Sequence, residues 1–233
     1  INAGVAEQNM TALACGMAME GCKVYTYSIG NFPTLRCLEQ IRNDICYHDA
    51  NVTIVAVGGG FSYGQLGMSH FATEDIAIMR SLPNMQVIIP GDPEEATQLT
   101  SQMHAKAGPK YLRIDKSGAG FEKNTQFLLG KPTVIGSGLD IVLFATGGIT
   151  REALAAAEIL RSNHGYAAKV VAVNYLKPLN KELVSKEVTG ASLIVTVEEH
   201  SIINGFGTSI REVIADAGFG GLPFYKFGIN DRF

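Results

Sequence analysis

Gly4-Val5-Ala6-Glu7-Gln8-Asn9-Met10 opens a run of small and flexible residues that reaches Glu20, and Lys23-Val24-Tyr25-Thr26-Tyr27-Ser28-Ile29-Gly30-Asn31-Phe32 follows Gly21. Alanine, methionine, leucine and cysteine over Ala6 to Glu20 predict a helix that packs closely on several sides, and Gly21 supplies its stop. Lys23 to Tyr27 alternates as a strand does, and a turn carrying an aromatic comes next. A helix feeding a strand through a glycine is the unit of an α/β fold. Within it Glu7 sits in a first turn, where a carboxylate complements the helix dipole, and Phe32 sits in a loop, where an aromatic tucks into a core.

The same alternation extends downstream. Thr34 to Tyr47 has helical spacing, with Leu35, Leu38, Ile41 and Ile45 on one face and Arg36, Glu39, Arg42 and Asn43 between them. Val52 to Val57 is almost wholly apolar, as a strand covered on both faces requires. A glycine-rich loop, Gly58 to His70, precedes a helix at Glu74 to Leu82, a strand at Met85 to Pro90, a helix at Pro93 to Ala107 and a strand at Tyr111 to Asp115. Asp92 and Pro93 read as helix cap and first helical position. Lys116 to Pro132 breaks the rhythm with Ser-Gly-Ala-Gly. This divides the chain into a domain at 1–118, a linker at 119–131 and a second domain at 132–233. The second repeats the pattern: strand Asp140 to Ala145, helix Arg151 to Asn163, strand Ala168 to Asn174, a short helix from Lys181, strand Ser192 to Val197, helix Ile203 to Ala217 and a last strand at Phe224 to Phe227. The fold class expected is α/β, two doubly wound and mostly parallel-sheet domains in series.

Composition narrows the function classes. With 46% hydrophobic content over 233 residues the chain can bury one large or two smaller cores, and 19 basic against 22 acidic residues leave a net charge of -3. There is no basic stripe, so neither nucleic acid nor an anionic membrane is an expected partner. Cys15, Cys22, Cys37 and Cys46 form no CxxC pair and read as reduced residues of a cytoplasmic protein. Gly58-Gly59-Gly60 and Gly147-Gly148 follow strands, where α/β folds bind ligands, but neither belongs to a G-x-G-x-x-G or a Walker sequence. His48, His104 and His164 fall near predicted helix ends, where the dipole favours them. No zinc spacing and no nucleophile elbow is present, and no metal ligand is assigned.

Taken jointly, several weak signals carry a resemblance. Gly4 to Met10, Tyr27-Ser28 leading to Phe32, and Gly67-Met68-Ser69-His70 followed by Arg80-Ser81-Leu82-Pro83-Asn84 stand in a fixed order. Pro90 to Ala96, then Val197-Glu198-Glu199-His200 with Gly205-Phe206-Gly207, and the tail Gly228 to Phe233 complete it. This order resembles the pyrimidine-binding and C-terminal domains of transketolase-like, thiamine-diphosphate-dependent enzymes over essentially the whole chain. The resemblance implies that Glu7 hydrogen-bonds the aminopyrimidine and promotes the tautomer that removes the thiazolium proton. It also implies that Phe32 stacks on that ring, with Ser28 beside it in the cofactor site. His70 would face substrate oxygens as donor or proton shuttle, and Arg113 would meet a substrate phosphate or carboxylate.

The chain departs from the family at particular positions. Leu66 stands where the family's Asp-Gly-Pro-Thr-His loop has its carboxylate, and the spacing after Phe32 is longer than in transketolase proper. No Gly-Asp-Gly occurs, the motif that with a downstream Asn supplies the Mg²⁺ site in this family, and a strand and helix are expected before Ile1. The resemblance therefore implies the C-terminal subunit of a split transketolase. Thiamine diphosphate and Mg²⁺ would be held mainly by a separate N-terminal subunit with the diphosphate-binding domain, in a homodimer or heterotetramer acting on sugar phosphates. Three alternatives stand beside it: the β subunit of a 2-oxo-acid dehydrogenase, a deoxyxylulose-phosphate-synthase-like enzyme, and a catalytically silent scaffold subunit.

Overall fold

The computed structural model describes residues 1–232. The first domain contains α1 (Glu7–Met19), β1 (Val24–Ile29), α2 (Leu38–Gln40), β2 (Val52–Val57), α3 (Asp75–Ser81), β3 (Gln86–Ile88), α4 (Pro93–His104) and β4 (Lys110–Ile114). After the linker come β5 (Thr133–Ile135), β6 (Ile141–Ala145), α5 (Thr150–His164), β7 (Ala168–Ala172), β8 (Tyr175–Lys177), α6 (Lys181–Val188), β9 (Leu193–Ser201), α7 (Phe206–Ile214) and β10 (Phe224–Ile229). Asp92 caps α4 as expected, its side chain accepting from the Glu95 amide at 3.0 Å with Pro93 at the first helical position.

Two five-stranded sheets result, ordered β1-β2-β4-β3-β8 and β10-β9-β6-β7-β5. All neighbours are parallel except β8 on β3 and β5 on β7. These two short strands were not among the expected elements. β8 is also placed unexpectedly: it lies in the second half of the chain but completes the first sheet, pairing Val87 with Lys177 and Ile88 with Tyr175.

Between Phe32 and Cys46 the expected helix over Thr34 to Tyr47 is corrected. Regular α-helix begins only at Leu38, and Ile41–Cys46 winds as a π-helix. The Thr34 hydroxyl donates to the carbonyls of Gly30 at 2.7 Å and Asn31 at 3.0 Å, an alternative to helical pairing that holds the segment in a turn. Leu35, assigned to the apolar face, is 48% exposed, while Cys37 is buried.

The domains are packed rather than tethered. One hydrophobic cluster runs from Ile41, Ile76, Met79 and Tyr111 in the first to Phe144, Ile194, Phe206 and Ile210 in the second. The linker is bound too. Gln98 and Gln102, one turn apart on α4, pair with it as a neighbouring strand would: their amide oxygens accept from Phe127 and Leu129, and their amide nitrogens donate to the carbonyls of Thr125 and Phe127. Cys15, Cys37 and Cys46 are buried and Cys22 is exposed, all free thiols. Among the described residues no helix is long and apolar enough to cross a membrane.

Candidate active site

Four of the residues singled out in the sequence meet at the carboxyl edge of the first sheet. Glu7 opens α1 and is 9% exposed, Ser28 lies near the end of β1, Phe32 follows in the turn, and His70 reaches them from the glycine-rich loop. The Ser28 hydroxyl lies 3.4 Å from Glu7 Oε1, and Arg36 donates to Glu7 Oε2 at 2.9 Å. The His70 ring stands edge-on to Phe32 with centroids 5.0 Å apart. Asn31 holds the histidine's loop from below, its amide donating to the Ser69 carbonyl at 2.6 Å. Glu7's own backbone amide does most to pull the carboxyl below its usual range; burial opposes this, and Arg36 and Ser28 add to the lowering.

Arg36 is the residue that the sequence pattern leaves among ordinary polar positions. Besides pairing with Glu7, its guanidinium lies 4.7 Å from the centre of the Phe32 ring, so it touches two of the four. Its signal is the four-residue spacing from Phe32, which has meaning only once that segment is a tight turn.

Arg113 requires a correction. It was expected at the substrate, and it is 2% exposed instead. Its Nε lies 3.4 Å from Asp75 and 3.6 Å from Asp115, and its Nη2 donates to the carbonyls of Glu199 at 3.0 Å and Ala72 at 3.4 Å. Burial works against its charge, but Asp75 and Asp115 outweigh it and hold the guanidinium above its ordinary pKa. No face is left for a phosphate. The exposed cation past the end of that strand is Lys116, 3.7 Å from the centre of the Tyr63 ring.

Around Arg113 lies a second polar cluster, sealed between the domains. Tyr111 donates to Asp75 at 2.5 Å. His200 donates from Nδ1 to the Ser201 carbonyl at 2.7 Å and accepts the Ala77 amide on Nε2 at 3.3 Å, which fixes a neutral tautomer. Glu198 caps α7, accepting from Phe206 at 2.6 Å and Gly207 at 2.9 Å. Burial raises its pKa to about 7 although both amides lower it.

The donor set at the open edge suits one kind of ligand. A carboxylate, a hydroxyl and a half-buried aromatic ring fit a flat nitrogen heterocycle, the aminopyrimidine end of thiamine diphosphate. The cation in contact with them, Arg36, is paired with Glu7. A groove of about 580 Å³ along α1 and β1, lined by Met10, Leu13, Met17 and Tyr25, takes in neither Glu7, Phe32 nor His70. Among the described residues no group of three or more His, Cys, Asp or Glu is placed to hold a metal.

Two packed α/β domains with this cluster at the first sheet's edge define the class, and comparison with known proteins agrees. Residues 1–120 match the family "Transketolase, pyrimidine binding domain" and residues 130–230 match "Transketolase, C-terminal domain". The chain belongs to the transketolase family. It is 40% identical over 236 residues to a protein of Methanocaldococcus jannaschii inferred to be a transketolase C-terminal section, covering 100% of this chain and 73% of that one. It is 32% identical over 235 residues to an apulose-4-phosphate transketolase subunit of Phocaeicola vulgatus, covering 100% and 74%. A solved structure described as a split gene transketolase, inactive beta4 tetramer, superposes with a TM-score of 0.87 at 37% identity over 98% of this chain and 74% of that chain.

Proposed function

We propose that this chain is the C-terminal subunit of a split, thiamine-diphosphate-dependent transketolase. The complex transfers a two-carbon ketol unit between sugar phosphates in the cytoplasm. The observation that carries the reading is the meeting of Glu7, Ser28, Phe32 and His70 at one open sheet edge. Bound there, thiamine diphosphate would supply a nucleophilic carbon and an electron sink. Glu7 hydrogen-bonds the pyrimidine and acts on it as acid and base, with Ser28 beside it. Phe32 offers its ring for stacking, and His70 holds or moves a proton at the substrate's oxygens. Arg36 orients both Glu7 and Phe32.

A separate N-terminal subunit supplies the diphosphate and Mg²⁺ site, and this chain assembles as a homodimer or within a heterotetramer. Support comes from the relatives, one of which is named as a transketolase subunit and another as a split gene product. The test is calorimetric titration with thiamine diphosphate and Mg²⁺, first of the chain alone and then of its complex with the diphosphate-binding subunit. Turnover is then assayed with ketose-phosphate and 2-oxo-acid donors. Binding only in the complex, with turnover of a ketose phosphate, is expected. Micromolar binding by the chain alone would sink the split-subunit reading, and turnover of 2-oxo acids alone would sink the transketolase reading.

A further inference from the structure

The loop that carries His70 is fastened at its base by the second domain. Gly60 and Ala72 close it through paired amide-to-carbonyl bonds of 2.9 and 3.1 Å, leaving Phe61 to Phe71 as a lobe on the surface. The first amide of that lobe, Phe61 N, donates to Glu199 Oε1 at 2.9 Å. Glu199 lies on β9 of the second sheet. Its neighbours Glu198 and His200 are fully buried, Glu198 capping α7 of its own domain, while Glu199, pointing the opposite way along the strand, meets the first domain's loop.

The approach is close enough to dictate a residue type. Gly60 has φ +58, and a Cβ placed there would lie 2.5 Å from Glu199 Cδ, so glycine is required both by conformation and by space. Either side of Glu199 the strand's backbone joins in. Its own carbonyl accepts from Arg113, which also donates to Ala72, and the Ser201 amide donates to Thr73 at 2.8 Å.

From Glu199 the path to the histidine is short. The Phe61 ring packs edge-on against Phe71 with centroids 4.8 Å apart, and Phe71 is bonded to His70, whose ring rests on Phe32. We propose that Glu199 is a positioning residue for His70: its carboxylate on the Phe61 amide is the side-chain contact by which the second domain shapes the active-site loop, beside the backbone ties at the loop's base. A charge-assisted bond to the first amide of an exposed lobe is a strong tether at small cost in ordered side chain. The inference rests on the reading of His70 as a group that faces substrate.

The test uses the full chain assembled with its diphosphate-binding subunit, comparing wild type, Glu199→Ala, Glu199→Gln and His70→Ala. Two readouts are taken: hydrogen exchange of the amides from Phe61 to Phe71, and kcat and KM with a ketose-phosphate donor. In Glu199→Ala the lobe's amides are expected to exchange at least about tenfold faster, because their protection depends on local opening. Its kcat is expected to fall about 10–100-fold, the scale of a small misplacement of a catalytic group, with KM changed far less. Glu199→Gln keeps an oxygen for the Phe61 amide and is expected to restore both readouts. If the alanine variant does not fold, Glu199→Asp, one methylene shorter, carries the same comparison. Unchanged exchange overturns the proposal. So does a loosened lobe with wild-type kcat while His70→Ala is impaired. Wild-type turnover in His70→Ala removes instead the reading of the site on which the proposal stands.

Discussion

Two polar clusters occur near the carboxyl ends of the first sheet's strands, built from similar residues and opposite in character. At the open edge, Glu7 is paired with an Arg36 whose side chain is 46% exposed, and Phe32 and His70 meet it half-buried. Between the domains, Arg113, Asp75, His200 and Glu198 are sealed, each side chain at most 3% exposed. The sealed cluster holds the more strongly displaced pKa values: Glu198 near 7, Tyr111 and Arg113 well above their ordinary ranges. Displacement alone would therefore point to the sealed cluster, but burial shifts a structural network as readily as a catalytic one. What separates them is whether a partner can be exchanged. An ion pair with one partner half in water contributes little, about 0–1 kcal/mol, and can be given up to a ligand, whereas a charge sealed on both sides cannot be left without its partner.

The contrast fails outright if Glu7→Gln leaves chemistry intact. In the assembled complex, hydrogen–deuterium exchange at the cofactor's thiazolium carbon is expected to slow about 10²–10⁴-fold, the range of general acid–base assistance. Thermal melts of the same variant should shift by no more than about 1 kcal/mol, because the Arg36 left behind is 46% exposed and reaches water, and the glutamine keeps the shape of Glu7. Exchange at the wild-type rate would make Glu7 a dipole partner only.

Arg113→Met should do the reverse. Leaving Asp75 and Asp115 buried without their cation is expected to cost about 3–5 kcal/mol in denaturant melts. A variant of near-normal stability with a raised KM for phosphorylated substrates would return Arg113 to the substrate site.

A smaller effect concerns pH. Burial favours the protonated Glu198, so between about pH 4.5 and 7 the folded chain keeps a proton that the unfolded chain releases. Stability from this group is therefore lost as pH rises through that window and is level above it, a difference of about 3 kcal/mol at most. Melts of Glu198→Gln across the window should show a flatter slope than wild type. An identical slope would assign the proton elsewhere in the cluster.

Much of this architecture is written in apolar runs. Val52 to Val57 and Ile141 to Ala145 are recognisable as strands because both faces are covered, and α4 announces itself through Asp92 and Pro93. β8 is illegible for the opposite reason: three residues, bounded by Asn174 and Pro178, acquire strand geometry only from the edge of β3. At the candidate site, the order along the chain singles out Glu7, Ser28, Phe32 and His70, and the structure brings these four together. Arg36 was hidden by the helical spacing of its neighbours, and the Thr34 hydroxyl bonds that place it belong to tertiary structure. Arg113 is expected at the substrate because a strand end suggests an open edge. Alternation carries a different message: Arg113 shares the face of Tyr111, which is packed in the inter-domain core, while Leu112 faces the cluster under α4.

The position of β8 also matters for how the molecule is made. A ribosome releases β1 to β4 well before Tyr175–Lys177, so the growing chain carries β3 as an unprotected edge until β8 has been synthesised. Such an edge is a template for pairing with other chains. A break placed between the two family domains, clean along the gene, would cut across a sheet. The first fragment would keep its exposed edge for good, and the second would carry a strand with nothing to pair with.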